Sequence, residues 1–128
     1  MEQIIQALEA GDLQALQTLI DRFLVDAEPA KQYEMAEMFM QFGYLEEADR
    51  ILENLQFIFP EEAQIKIDRA TVLMELTKED EALDLLLDVK ETDAEYPQAL
   101  VVLADYYQMQ GLFEVAEKHI EMALELLP

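Results

Sequence analysis

Apolar positions in this chain recur at helical spacing and break off at regular turns. Met35, Ala36, Phe39 and Phe42 follow one another at steps that line one face of a helix. Gly43 comes next, a residue that tolerates the left-handed backbone found where helices end. Glu46 and Glu47 stand near the start of a second helix, where the dipole favours negative charge. Ala48, Ile51, Leu52 and Leu55 continue at the helical step, and Pro60 stops the run. The same reading along the chain predicts helices over 2–10, 12–26, 29–42, 45–58, 62–76, 79–90, 96–109 and 112–127. No linker or low-complexity segment separates them.

The helix pairs repeat. Ala36, Ala70 and Ala104 are spaced by 34 residues, as are Ala48, Ala82 and Ala116. Leu52, Leu86 and Ile120 keep the same step, and so do Phe39, Leu73 and Tyr107. Gly43 and Gly111 lie two periods apart with Thr77 midway, and Pro60 and Pro128 do the same around Ala94. Several independent tracks thus share one period without an insertion, the signature of a repeat architecture. The alanines have a physical role, because two antiparallel helices approach closely only where neither carries a bulky side chain. Residues 1–28 are less regular. Ile4, Leu8, Gly11, Leu16, Ile20 and Phe23 still give helix, turn and helix, but Leu16 falls where later repeats have Ala. Terminal repeats are commonly degenerate in this way.

In these residues the chain resembles the tetratricopeptide repeat family, whose unit is 34 residues long. Residues 97–128 match best, through Leu100, Leu103-Ala104, Tyr107, Gly111, Ala116, Ile120, Ala123 and Pro128. Residues 29–62 match through Met35-Ala36, Phe39, Gly43, Ala48, Leu52, Leu55 and Pro60, and 63–96 more weakly through Arg69-Ala70, Leu73, Ala82, Leu86 and Val89. The family's Trp position holds Gln32, Lys66 and Leu100. The resemblance implies an all-α solenoid of about eight helices, antiparallel pairs wound into a right-handed superhelix, as a single domain over 1–128. Residues 1–28 form a degenerate first pair, repeat 1, followed by repeats 2, 3 and 4 over 29–62, 63–96 and 97–128.

It further implies that the first helix of each pair lines a concave groove for a peptide or helix. By the repeat phase the groove positions are Tyr33, Glu37, Met40 and Gln41; Gln64, Ile67, Thr71, Met74 and Glu75; and Gln98, Val101, Asp105, Gln108 and Met109. The principal binding set is Tyr33, Glu37, Met40, Ile67, Thr71, Met74, Val101, Asp105 and Gln108. None is Lys or Arg, which argues against the carboxylate grip that one subgroup of the family uses. Met adapts to varied apolar anchors and aromatic side chains give rigid buried area. The expected partner is another protein, through a segment with apolar anchors and basic flanks. Met and Ile at helical spacing can equally be packing.

Charge sharpens this picture. The sequence carries 29 acidic and 8 basic side chains in 128 residues, a net charge of −21. Such a surface repels phosphate backbones and anionic lipid, so nucleic acid and membrane are not expected partners. There is no cysteine, which removes thiolate nucleophiles and thiolate metal sites and fits a reducing, cytoplasmic setting. The longest apolar run, Ala99 to Ala104, is too short to span a bilayer.

Catalysis finds no constellation. The acidic pairs Glu46/Glu47 and Glu61/Glu62 and the run Glu79-Asp80-Glu81 sit at turns and helix starts, where capping and solvation account for them. His119 is the sole histidine and the chain has no serine, so no triad and no usual zinc site can be assembled. Glycines stand one per turn, with no phosphate loop and no calcium loop. We expect no enzyme, no metal and no cofactor. At the fourth repeat, Leu112, Val115, Met122 and Leu126 are expected on an uncovered end face. Either further repeats continue from it or it pairs with another copy as a homodimer, and continuation is favoured.

Overall fold

The computed structural model describes residues 2–128; Met1, where the expected domain range begins, lies outside the described residues. Eight helices and no strand occur among them: α1 (Glu2–Ala10), α2 (Leu13–Asp26), α3 (Pro29–Gln41), α4 (Leu45–Ile58), α5 (Ala63–Glu75), α6 (Glu79–Leu87), α7 (Tyr96–Met109) and α8 (Phe113–Glu125). The fold class is thus all-α, built from successive helix pairs. The chain clusters into two compact units, one ending at Leu55 and the other beginning at Gln56, so the division falls inside α4.

The helix prediction differs most at α6, which ends at Leu87 rather than residue 90. Asp93 supplies the reason. Its carboxylate accepts the Lys90 backbone N–H at 2.9 Å, and its own N–H donates to the Lys90 carbonyl at 3.0 Å. A short Asp side chain that competes for backbone hydrogen bonds favours a turn over a further helical residue.

Four turns share one hydrogen-bond pattern. Gly11, Gly43, Thr77 and Gly111 all have positive φ, from 63° to 81°. Each donates its N–H to the carbonyl three residues back, and the next residue donates five back: Gly43 to Met40 and Tyr44 to Phe39, Thr77 to Met74 and Lys78 to Leu73, Gly111 to Gln108 and Leu112 to Tyr107. This double closure satisfies the last orphan carbonyls of each first helix. Thr77 makes the turn without being glycine.

The periodic alanines behave as the spacing predicts. Ala36, Ala70 and Ala104 are buried, as are Ala48, Ala82 and Ala116. Leu16, which replaces Ala in the first pair, is buried too. In the second unit Ile67, Leu73, Leu86, Leu100 and Leu103 form one apolar cluster flanked by Leu83, Tyr96 and Tyr107. Each such side chain taken out of water contributes about 1.5–3 kcal/mol.

A second periodic track explains the polar residues at the family's Trp position. Gln32, Lys66 and Leu100 are all nearly fully buried. Gln32 and Lys66 each meet a polar residue 22 positions on, Asn54 in α4 and Asp88 at the C-cap of α6. Asn54 donates to the Gln32 carbonyl oxygen at 2.9 Å, while the Gln32 amide N–H donates to the Ala27 carbonyl at 3.0 Å. Lys66 Nζ meets an Asp88 carboxylate oxygen at 2.7 Å. In repeat 4 the same two positions hold Leu100 and Met122, with no polar atom to satisfy. Buried polar groups persist only where partners satisfy them, and here the two positions change character together.

Candidate functional site

Within the second unit, α5 and α7 are successive first helices that pack side by side. Between them runs an open groove of about 450 Å³, lined by Thr71, Met74 and Glu75 from α5 and Asp105, Gln108 and Met109 from α7. All six belong to the groove positions expected from the repeat phase. They share the groove because Thr71, Met74 and Glu75 occupy adjacent corners of one helical face, and 34 residues on Asp105, Gln108 and Met109 repeat that placement.

The groove has an apolar floor and acidic edges. Met74 is buried except for its tip, whereas Met109 is 54 % exposed. The Glu75 and Asp105 carboxylates are solvent-exposed. Thr71 Oγ1 donates to the Ile67 carbonyl at 3.0 Å, which leaves its oxygen free to accept. Among the lining residues the Gln108 amide is the one side chain that both donates and accepts through separate atoms. No cation lines the groove. Lys78, three residues after Glu75, is exposed but outside the lining, and Lys66 is buried against Asp88. The Lys66 ammonium donates a hydrogen bond that, with its charge, holds the Asp88 carboxyl below the ordinary aspartate value.

Four expected groove positions of the second unit, Gln64, Ile67, Gln98 and Val101, lie outside this lining. Ile67 is only 1 % exposed and belongs to the core cluster, so this expectation is corrected: the residue one turn before Thr71 faces inward to Leu73 and Leu100. Val101 is exposed, one turn ahead of Asp105 on α7, outside the groove lining. In the first unit Tyr33 and Met40 are half-buried and Glu37 is exposed, on one face of α3 at four- and three-residue steps.

The first unit also holds an apolar pocket of about 280 Å³ that the sequence did not single out, lined by Ile5, Leu8, Glu9, Met38, Phe42 and Tyr44. The helical spacing puts Phe42 on the face of Met35, Ala36 and Phe39, which are buried. Phe42 is 66 % exposed instead, because it is the C-cap residue and the backbone has already begun to leave the helix there. The signal available was its place directly before Gly43.

The remaining candidates are structural in their surroundings. His119 Nδ1 lies 2.8 Å from the Val115 carbonyl, and its ring packs on Tyr107 at 4.9 Å between centroids. Glu46 and Glu47 occupy the first turn of α4, and Glu79, Asp80 and Glu81 that of α6. No group of three His, Cys, Asp or Glu residues among the described residues could hold a metal ion. No helix among them is long and apolar enough to cross a membrane. Leu112, Val115, Met122 and Leu126 are all exposed, at 36–52 %.

No family model matches the chain. It is 33 % identical over 130 residues to the TPR repeat-containing protein YpiA of Bacillus subtilis (strain 168), an alignment that covers 99 % of this chain and 30 % of that protein. The chain therefore spans less than a third of the length of this relative. Among solved structures, a crystal structure of MamA superposes with a TM-score of 0.70 at 15 % identity, covering 95 % of this chain and 72 % of that one. A MamA mutant gives a TM-score of 0.68 at 20 % identity, covering 98 % and 93 %. These likenesses are in fold.

Proposed function

The chain belongs to the tetratricopeptide repeat family, and we propose that it is a binding scaffold, not an enzyme, that seats a segment of another protein along its first helices. The observation that carries this reading is the α5–α7 groove, where two methionines floor a channel edged by Glu75 and Asp105 with no cation. The chemistry it fits is a segment with apolar anchors flanked by Lys or Arg. Methionine side chains repack around anchors of different shape. The flanking cations meet Glu75 and Asp105, which are solvated and so act mainly on encounter rate and register. An acidic segment, or a free C-terminal carboxylate, meets like charge instead. A groove of this size supports affinities on the order of micromolar. Tyr33, Glu37 and Met40 on α3 offer the same mixture of apolar and acidic groups in the first unit.

The test is fluorescence anisotropy with two short labelled peptides that share Leu and Phe anchors, one flanked by Lys and Arg and the other by Glu and Asp. The basic peptide binds and the acidic one does not. Glu75→Lys with Asp105→Lys weakens the basic peptide at least tenfold, Met109→Glu does the same, and helicity is unchanged because all three side chains are exposed. Equal binding of both peptides, or indifference to the charge reversal, removes this reading.

A further inference from the structure

α8 carries a stripe that breaks the pattern of the repeat before it. Phe113, Ile120 and Leu124 lie seven and four residues apart, on one face of the helix, and are 65 %, 38 % and 61 % exposed. Their counterparts one period earlier are Glu79 and Leu86 on α6 and Lys90 in the turn after it. Leu86 is 1 % exposed, because α7 covers it with Ala99, Leu100 and Leu103 in a shared cluster. On α8 the central position is again aliphatic and open to solvent, and the two charged positions beside it have become Phe and Leu.

Two features of this stripe identify what fits it. First, α7 shows what seats on such a position, namely a helix presenting Ala and Leu at steps of one and three residues. The α8 stripe is more apolar than the one α7 meets, so it suits a helix with a broader apolar face than α7 has. Second, Glu117 and Glu121 stand one turn before Ile120 and Leu124 along its border, and α8 holds Glu114, Glu117, Glu121 and Glu125 against Lys118 alone. A second copy would bring the same acidic border to the contact within a chain of net charge −21, and the two would repel. We propose that the Phe113–Ile120–Leu124 face of α8 docks an amphipathic helix of a partner protein, with a Leu/Ala stripe edged by Lys or Arg. This surface is separate from the α5–α7 groove. An exposed apolar face rimmed by charge is the usual mark of a docking site.

The test uses the full chain and a labelled, helix-stabilised 18-residue peptide with Leu and Ala at the α7 spacing and Lys along one edge. Binding is read by anisotropy at two salt concentrations, and the mass of the free chain by ultracentrifugation. The peptide binds; Ile120→Glu and, independently, Leu124→Glu weaken it at least tenfold; Glu117→Lys with Glu121→Lys weakens it and abolishes its salt dependence. Met109→Glu, in the groove, leaves it unchanged. Leu124 is the more exposed of the two stripe positions, so Leu124→Glu reports docking even if Ile120→Glu disturbs α8. Absence of binding, binding indifferent to both stripe variants, or a self-associated chain that Leu124→Glu returns to monomer would each overturn the proposal. In the last case a second copy covers the face.

Discussion

Thr77→Gly should stabilise the protein. Thr77 has φ of 63°, a region that costs an L-residue roughly 1–2 kcal/mol and a β-branched one the upper part of that range. It is held there by the same two backbone hydrogen bonds that close the glycine turns, Thr77 to Met74 at 3.1 Å and Lys78 to Leu73 at 2.8 Å. Glycine removes the steric cost but loses about 0.5–1 kcal/mol more chain entropy on folding. The Thr77 hydroxyl bond to the Leu76 carbonyl is solvent-exposed and is exchanged for water. The net gain is about 0.5–1 kcal/mol, or about 2–4 °C in Tm for a chain of this size. The mirror variant is Gly111→Ala. A Cβ there meets nothing within 4 Å, so its cost of about 1 kcal/mol is purely backbone conformation. Thermal and urea unfolding followed by circular dichroism measure both. If Thr77→Gly lowers Tm, or Gly111→Ala leaves it unchanged, the left-handed turn is not what the glycine track encodes.

Other outcomes follow from the buried pairs and the core. Lys66→Met should be neutral or stabilising at pH 7, because Asp88 is largely exposed and keeps its hydration. Asp88 titrates below its ordinary value in the fold, so its contribution is full above about pH 4 and is lost as pH falls through the lowered value. In acid titrations followed by circular dichroism, Lys66→Met should therefore flatten the loss of stability below about pH 4. Gln32→Leu should cost about 1–3 kcal/mol in urea unfolding, since the Asn54 amide loses its acceptor and the Ala27 carbonyl its donor. Leu73→Ala, at a fully buried site, should cost about 2–5 kcal/mol by the same measurement.

The fold was legible because its signal is redundant. Alanine, aromatic and turn tracks each carry the 34-residue period, so no single substitution hides it. Thr77 shows this, a residue with the wrong preference that the neighbouring tracks still force into the turn. That the six lining residues share one groove followed from the family resemblance carried along the chain by the repeat phase. The inward turn of Ile67 did not, because a helical face is wider than a groove, and which edge residue turns inward depends on how closely the neighbouring helix approaches. Phe42 was misread for a related reason, since periodicity extends a helical face one residue beyond the point where the backbone leaves it. The shortened α6 depended on a side-chain contact, Asp93 with Lys90, that periodicity does not report. Lys66 looked anomalous at an apolar position, and only the Asp88 contact shows why it is tolerated.

The buried pairs have a consequence for how the chain finds its fold. Repeat helices look alike, and a chain of near-copies can join the first helix of one pair to the second of another. Gln32 with Asn54 and Lys66 with Asp88 act as two different keys, and the corresponding positions of repeat 4 hold Leu100 and Met122. Were α5 to dock on α8, the Lys66 ammonium would be buried against Met122, a mismatch costing about 3–5 kcal/mol. Were α7 to take the place of α5 as the pair partner of α6, Leu100 would stand where Lys66 does and leave the Asp88 carboxylate without its partner. Each wrong partner is penalised, so the order of assembly is written into a position that in a uniform array would hold one residue.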